Sequence, residues 1–272
     1  MDHDLLIIGG GGVGACVARD AAMRGLSALV IDQHDVAYGT SSRSSRLLHG
    51  GIRYLAQGRI GLVREASHEK TILGAIAPHL VQPLGFVYPA YRGNPYPRWQ
   101  LRIGVKIYVW LCRGKKFGPS EAWSVQETLD RVAGLNGHRL TGAVRYYDAL
   151  TNDARLVIDT LRSAERHGSR VRTYTGFVNA SRSGRDWRCE LEDARTGAPD
   201  TVRVRCVVNA TGPWSDHVPH SRTRLRPTKG SHLVVPHHRL PVPDAVVMPE
   251  GHRILFAIPW GERTFIGTTD TD

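Results

Sequence analysis

The sequence predicts an α/β fold that opens in a parallel βαβ unit and later adds alternating strands. Three observations predict it. An apolar run at residues 5–8 leads straight into Gly9-Gly10-Gly11-Gly12-Val13-Gly14, a small-residue helical stretch follows, and a second strand read over 27–31 ends at Asp32. Further on, residues 170–180, 187–193 and 201–208 read as a strand meander, with turn signals at Ser183-Gly184 and Arg195-Thr196-Gly197.

Each element of the opening unit has a local cause. Residues 5–8 are continuous and apolar, as a strand buried on both faces requires. Within G-x-G-x-x-G, Gly9 permits a tight turn, Gly11 lets backbone approach a bound pyrophosphate, and Gly14 lets the helix pack closely on the strand. The helix predicted over 13–24 carries Ala15, Ala18, Ala21 and Ala22, and Gly25 is its C-terminal stop. Its N-terminus, with free N–H groups and a favourable dipole, suits phosphates. Asp32 falls about twenty residues beyond the glycines, where a carboxylate accepts hydrogen bonds from a ribose diol. Together these elements read as dinucleotide binding; a glycine-rich turn in an ordinary α/β domain is the alternative. The unit alone does not choose between FAD and NAD.

Composition sets outer bounds. With 272 residues, 41% of them hydrophobic, the chain can bury one large core or two modest ones. No run reaches the ~20 uninterrupted apolar residues of a membrane span, and residues 5–8 are too short for a signal-peptide core, so a cytosolic or cytosol-facing protein is expected. Cys16, Cys112, Cys189 and Cys206 lie far apart without a C-x-x-C pair, which favours plain thiols over disulfides or a metal site. The net charge of +11 suits nucleic acid, an anionic membrane surface or an anionic substrate. Only Lys70, Lys106, Lys115, Lys116 and Lys229 are lysine; the other basic residues are arginines scattered along the chain. Without a basic run interleaved with aromatics, or a known module, nucleic acid is not expected as a partner.

The segment Gly39-Thr40-Ser41-Ser42-Arg43-Ser44-Ser45-Arg46-Leu47-Leu48-His49-Gly50-Gly51-Ile52-Arg53-Tyr54-Leu55 closely resembles the FAD-dependent glycerol-3-phosphate dehydrogenase family. The resemblance implies FAD, with Thr40, Ser41, Ser42, Gly50 and Gly51 along its pyrophosphate and isoalloxazine. It implies a contact from Arg46 as well, where the family usually has lysine. Out of that context, residues 41–45 read as a solvated turn. The run Val207-Val208-Asn209-Ala210-Thr211-Gly212-Pro213-Trp214 matches the same family, where Ala210-Thr211-Gly212 implies a return of backbone to the FAD pyrophosphate. The tail, Lys229-Gly230-Ser231-His232-Leu233-Val234-Val235-Pro236 and Ile258-Pro259-Trp260 to Gly267-Thr268-Thr269-Asp270, matches the start of the family's substrate-domain sheet.

Between these motifs, residues 62–77 have helical spacing and stop before Pro78, and residues 84–90 read as a strand. In 98–113, Arg98, Arg102 and Lys106 form a basic stripe beside Trp99, Ile103, Ile107, Trp110 and Leu111. Such a helix either rests on an anionic membrane or is well buried with one solvated face. Asn152 or Asp153 caps another helix, which ends near Gly168.

The expected organisation is an FAD-binding Rossmann-like domain of residues 1–80 and 140–218, with 81–139 and 219–272 forming part of a β-sheet-based substrate or cap domain. Family members are much longer, so a truncated N-terminal portion is expected. The resemblance implies oxidation of sn-glycerol 3-phosphate to dihydroxyacetone phosphate by hydride transfer to flavin. It further implies electrons passed to quinone by an enzyme peripheral to the cytoplasmic side of the inner membrane. His232 matches the base, with His49 as an alternative beside the flavin, and Arg53 and Tyr54 match substrate-contacting positions. The bland readings are a structural histidine, a surface arginine and a packed tyrosine. Thr268, Thr269 and Asp270 take no assigned role. Two rivals stand: an amino-acid-oxidase-type enzyme on the same fold, against which Arg53-Tyr54 argues, and a catalytically inactive FAD-binding fragment.

Overall fold

The computed structural model describes residues 2–112, 117–250, 253–269 and 271, without the side chains of Arg53, Glu250 and Arg253. The chain runs through β1 (His3–Ile8), α1 (Gly12–Met23), β2 (Ala28–Ile31), β3 (Leu47–Leu48), α2 (Ile52–Ala56), α3 (Ile60–Ile76), β4 (Gln82–Tyr91), α4 (Arg98–Leu111), β5 (Glu121–Trp123) and α5 (Val125–Arg131). It continues through β6 (Leu140–Leu150), α6 (Asp153–Arg166), β7 (Arg170–Arg172), β8 (Thr175–Ser183), β9 (Asp186–Asp193), β10 (Pro199–Asn209), β11 (Leu233–Pro236), β12 (Ala245–Glu250), β13 (Arg253–Trp260) and β14 (Arg263–Gly267). These elements fall into two units, Met1–Ser44 with Asn152–Pro227, and Ser45–Thr151 with Thr228–Asp272.

In the first unit the sheet order is β7-β2-β1-β10-β9-β8. β1 lies parallel between β2 and β10, which is why its apolar run is buried on both faces. Ile7 and Val30 meet the alanines of α1 and Val157 and Leu161 of α6 on one side. Leu6, Ile8, Leu29 and Ile31 meet Cys189, Leu191 and Val204 on the other. A Cβ on Gly14 would sit 1.9 Å from the Gly9 carbonyl oxygen, so only glycine lets α1 lie this close to β1. The Asn152 side chain caps α6 by accepting from the Arg155 N–H at 3.2 Å.

The strand expected over 170–180 is two strands. Tyr174 takes a left-handed backbone (φ 52°) that ends β7, which pairs parallel with β2, and starts β8, which pairs antiparallel with β9. The meander is therefore β8-β9-β10 alone, and the C-terminal half of β10 crosses into the parallel core beside β1.

In the second unit the order is β11-β14-β13-β12-β4-β6-β3, with β5 also on β6. Phe86 and Tyr146 stack at 5.3 Å within a core that includes Val63, Val105, Tyr108 and Val144. Arg145 reaches from β6 to both carboxylate oxygens of Asp244 at 2.7 and 3.1 Å. Residues 45–80 and 140–151, expected with the first domain, belong here because β3 pairs with β6 and Ile52, Tyr54, Leu55 and Val63 pack on this core. Residues 219–227 stay with the first unit.

α4 covers most of the stretch with the basic and apolar stripes. Val105, Tyr108 and Leu111 are buried, but Trp99 (62% exposed), Ile103, Ile107 and Trp110 (68%) form an outward stripe flanked by exposed Arg102 and Lys106. The helix is not buried nearly all round. Arg113 lies outside the described residues. No helix among the described residues is long and apolar enough to cross a membrane.

The contrast between the two motif glycines is measurable. Gly14→Ala is expected to lose about 1–3 kcal/mol or more in urea unfolding, as overpacking against backbone does. Gly11→Ala, whose Cβ would meet only Ser41 Oγ at 3.4 Å, is expected to stay within about 1 kcal/mol of the parent. Equal losses in the two variants would contradict the packing role of Gly14.

Candidate functional site

Where β1, β2 and β10 end at their carboxyl edge, the first unit holds a cleft of about 630 Å³. Of the sequence-predicted cofactor residues, Gly9, Gly11, Asp32, Thr40, Ser41, Ala210, Thr211 and Gly212 line it. The two ends of the motif meet by direct pairing: the Ala210 N–H donates to the Ile8 carbonyl at 2.9 Å. Gly9 (φ 109°) makes this possible, since a Cβ there would lie 2.5 Å from the Ala210 oxygen.

Asp32 is already at work in the turn. Its Oδ2 accepts the Gly10 N–H at 2.8 Å and its Oδ1 the His34 N–H at 2.9 Å. A carboxylate has about four acceptor positions, so each oxygen retains capacity for a ligand hydroxyl. Ser41 Oγ accepts the Gly12 N–H at 3.0 Å, pinning the hydroxyl-rich loop to the start of α1. Gly11 meets no backbone and opens on the cleft, as a glycine reserved for close approach of a ligand does.

Gly14, Ser42, Arg46, Gly50 and Gly51 do not line this cleft. Gly14 is a packing glycine, and Ser42 Oγ closes its own turn by donating to the carbonyls of Tyr38 and Gly39 at 3.1 and 3.2 Å. Sequence reasoning missed His34 and Tyr38, whose rings lie 4.0 Å apart, together with Phe177, Trp214 and Val218. Trp214 had a signal, since it ends the run that begins at Val207 and a Cβ on Gly39 would come within 2.9 Å of its ring. Phe177 and Val218 had none, because the topology alone brings them to the cleft.

The remaining candidates belong to the second unit. His232 Nε2 lies 2.9 Å from Ser45 Oγ, its ring meets Phe265 edge-on at 6.5 Å, and a Cβ on Gly267 would come within 2.7 Å of it. Burial lowers its pKa below the ordinary imidazole value of 6.5. Arg46, in a left-handed backbone (φ 58°), stacks its guanidinium over Trp260 at 4.5 Å and Phe265 at 5.5 Å. The Gly50 N–H is taken by Tyr108 Oη at 2.8 Å. Gly51 (φ 71°) turns the chain into α2, where the Tyr54 N–H donates to the Gly51 carbonyl at 2.8 Å. His49 is exposed. The Arg53 side chain and Asp270 lie outside the described residues. Thr268 Oγ1 donates to the Thr269 carbonyl at 2.9 Å, and Thr269 Oγ1 accepts the Ser231 N–H at 2.9 Å.

The sequence model of the FAD dependent oxidoreductase family matches residues 4–272. The chain is 40% identical over 276 residues to glycerol-3-phosphate dehydrogenase 2 of Mycobacterium tuberculosis, covering 99% of this chain and 47% of that relative. It is 38% identical over 274 residues to D-erythritol 1-phosphate dehydrogenase of Brucella abortus, covering 98% and 54%. The X-ray structure of the glycerol-3-phosphate dehydrogenase from Bacillus halodurans complexed with FAD superposes with a TM-score of 0.77 at 29% identity, over 99% of this chain and 48% of that one. Glycine oxidase from Geobacillus kaustophilus shares the fold at 20% identity, with a TM-score of 0.64 over 99% of this chain and 71% of its own. The chain spans about half the length of the curated relatives it matches.

The His232 environment has a checkable consequence. Burial keeps the ring neutral, so the native state binds fewer protons than the unfolded chain just below pH 6.5, and this group's contribution to stability is lost as pH falls through its folded pKa. An NMR titration of His232 is expected to give a midpoint below 6.5. A midpoint at or above that value would show a solvated ring.

Proposed function

The chain belongs to the FAD dependent oxidoreductase family, and from that premise we propose that its first unit binds FAD and that the enzyme oxidises sn-glycerol 3-phosphate to dihydroxyacetone phosphate, with a quinone as final electron acceptor. The single observation that carries the cofactor reading is the cleft in which Gly9, Gly11 and Asp32 are joined by the returning Ala210-Thr211-Gly212. The open face of Gly11 fits a pyrophosphate, the N-terminus of α1 favours its charge, and Asp32 keeps acceptor capacity for ribose hydroxyls. Thr40 and Ser41 fit the phosphates as donors. Arg46, Gly50 and Gly51 take their proposed flavin contacts from the motif resemblance alone.

The substrate reading rests on the motif around Arg53 and on the relatives' names. Bound FAD supplies the hydride acceptor. Arg53 and Tyr54 hold the phosphate group. His232 takes the hydroxyl proton: in the tautomer whose Nε2–H donates to Ser45 Oγ, the Nδ1 lone pair is the base, and the lowered pKa favours the neutral ring at neutral pH. His49 is the second candidate. The 38% identity to an erythritol-phosphate dehydrogenase favours a wider class of polyol phosphates, which share the secondary alcohol and the phosphate. An amino-acid substrate is supported only by fold.

The test uses the enzyme at its full encoded length, loaded with FAD and mixed anaerobically with glycerol 3-phosphate, erythritol phosphate or glycine. Saturable flavin bleaching by glycerol 3-phosphate is expected; bleaching by glycine alone would overturn the substrate class. In the same preparation Gly11→Val is expected to fold but to lose FAD, since its side chain would fill the space left for the pyrophosphate. Full flavin occupancy in that variant would move the cofactor site elsewhere.

The proposed quinone acceptor implies work at a membrane surface. The α4 stripe of Trp99, Ile103, Ile107 and Trp110, with Arg102 and Lys106 beside it, supports peripheral docking on an anionic bilayer. Sedimentation with vesicles rich in anionic lipid is expected to fall on raising salt and to fall further in Trp99→Ala/Trp110→Ala. Unchanged binding in that variant would remove α4 from the contact.

A further inference from the structure

We propose that Lys70, Asp148 and Tyr108 form a buried positioning device that holds the His49-Gly50-Gly51 turn, and with it the start of α2 that carries Arg53 and Tyr54. What the turn serves rests on the function proposed above; the clamp itself does not. Its members come from separate elements: Lys70 from α3, Tyr108 from α4 and Asp148 from β6. They are 5%, 0% and 1% exposed.

The donor and acceptor roles run in one direction. Lys70 Nζ pairs with Asp148 Oδ1. Tyr108 Oη lies 2.8 and 2.9 Å from the two Asp148 oxygens and has one proton, which it donates to the carboxylate. Burial first, then the Asp148 charge, pushes the Tyr108 phenol well above its ordinary range, so that proton stays on. The oxygen's lone pairs then receive the Gly50 N–H at 2.8 Å. Gly50 has no room for a side chain, since a Cβ would lie 2.3 Å from Ser67 Oγ and 2.6 Å from Tyr108 Oη. Ser67 is itself held from the residue that follows α4, accepting from Cys112 Sγ at 3.0 Å. Directly after this anchored amide, Gly51 makes its left-handed turn into α2.

Such a pair is poorly explained as a stabiliser, because desolvating two charges offsets most of their attraction and apolar replacements of similar volume are often no worse. An apolar pair would leave the phenol unoriented. The polar chain instead gives one buried amide a single acceptor in a single place, which specifies where the turn sits.

The test uses the enzyme at its full encoded length, with Tyr108→Phe and Lys70→Met/Asp148→Leu. Hydrogen exchange across residues 49–54, thermal midpoint, FAD content, and kcat and KM for glycerol 3-phosphate are measured in each. Tyr108→Phe removes one oxygen and is expected to fold, to speed exchange in that segment about tenfold or more, and to lower kcat/KM of the flavin-loaded enzyme by about 10–100-fold. The double variant is expected to behave like Tyr108→Phe; if it fails to fold, Tyr108→Phe decides. Unchanged exchange at residues 49–54 in Tyr108→Phe overturns the clamp, and faster exchange with unchanged kcat and KM overturns its role in the reaction. A parent enzyme inert toward glycerol 3-phosphate defeats the substrate reading instead, and the exchange result then decides the clamp alone.

Discussion

The first unit depends on how closely backbone can approach backbone where β1 ends. Gly9 faces Ala210 on one side and Gly14 on the other, at distances where any Cβ would collide with a carbonyl. That crowding lets α1 lie flat on β1 and lets the end of β10 pair beside it. The cleft opens where these three strands stop, so the same glycines that set the packing also set where a ligand can be reached by backbone N–H groups. Gly11 is the exception that makes the rule useful, for among the described residues a Cβ there would meet only the Ser41 hydroxyl, at 3.4 Å.

The second unit solves a related problem with side chains. Gly50 and Gly267 again stand where a Cβ would strike a neighbour, but the nearest atoms belong to the side chains of Ser67 and Tyr108 at Gly50 and of His232 at Gly267. The turn at Gly50 is fixed by a phenol whose own orientation is set by a buried carboxylate and ammonium. His232 is held by the Ser45 hydroxyl and desolvated, which favours a neutral ring near physiological pH. Arg46, stacked on Trp260 and Phe265, keeps its charge on a rigid plane. The scaffold is shared with a glycine oxidase, and a shared scaffold says little about the substrate.

Net charge gains meaning only with position. The sequence total of +11 is compatible with several partners, yet the structure puts part of it, Arg102 and Lys106, beside an outward apolar stripe on α4, while Arg145 is committed to Asp244 and Lys70 to Asp148. Counting basic residues therefore overstates the charge open to a partner.

Sequence by itself determined the βαβ opening. Periodicity, glycines and the acid at 32 are local signals, and β1, α1 and β2 fall within a residue or two of where they point. It also marked Ala210-Thr211-Gly212 as a returning element, and most of the cleft's backbone was legible in that way. Tertiary structure alone decided the rest. Residues 45–80 joined the second unit because β3 pairs with β6, a contact between segments about a hundred residues apart that no local pattern encodes. Tyr174 split a run that alternates like one strand, since a left-handed residue leaves no trace in hydrophobic periodicity. Phe177 and Val218 reached the cleft, and Lys70 found Asp148, through packing of distant elements, because burial and partnership belong to the assembled fold and not to any stretch of the chain.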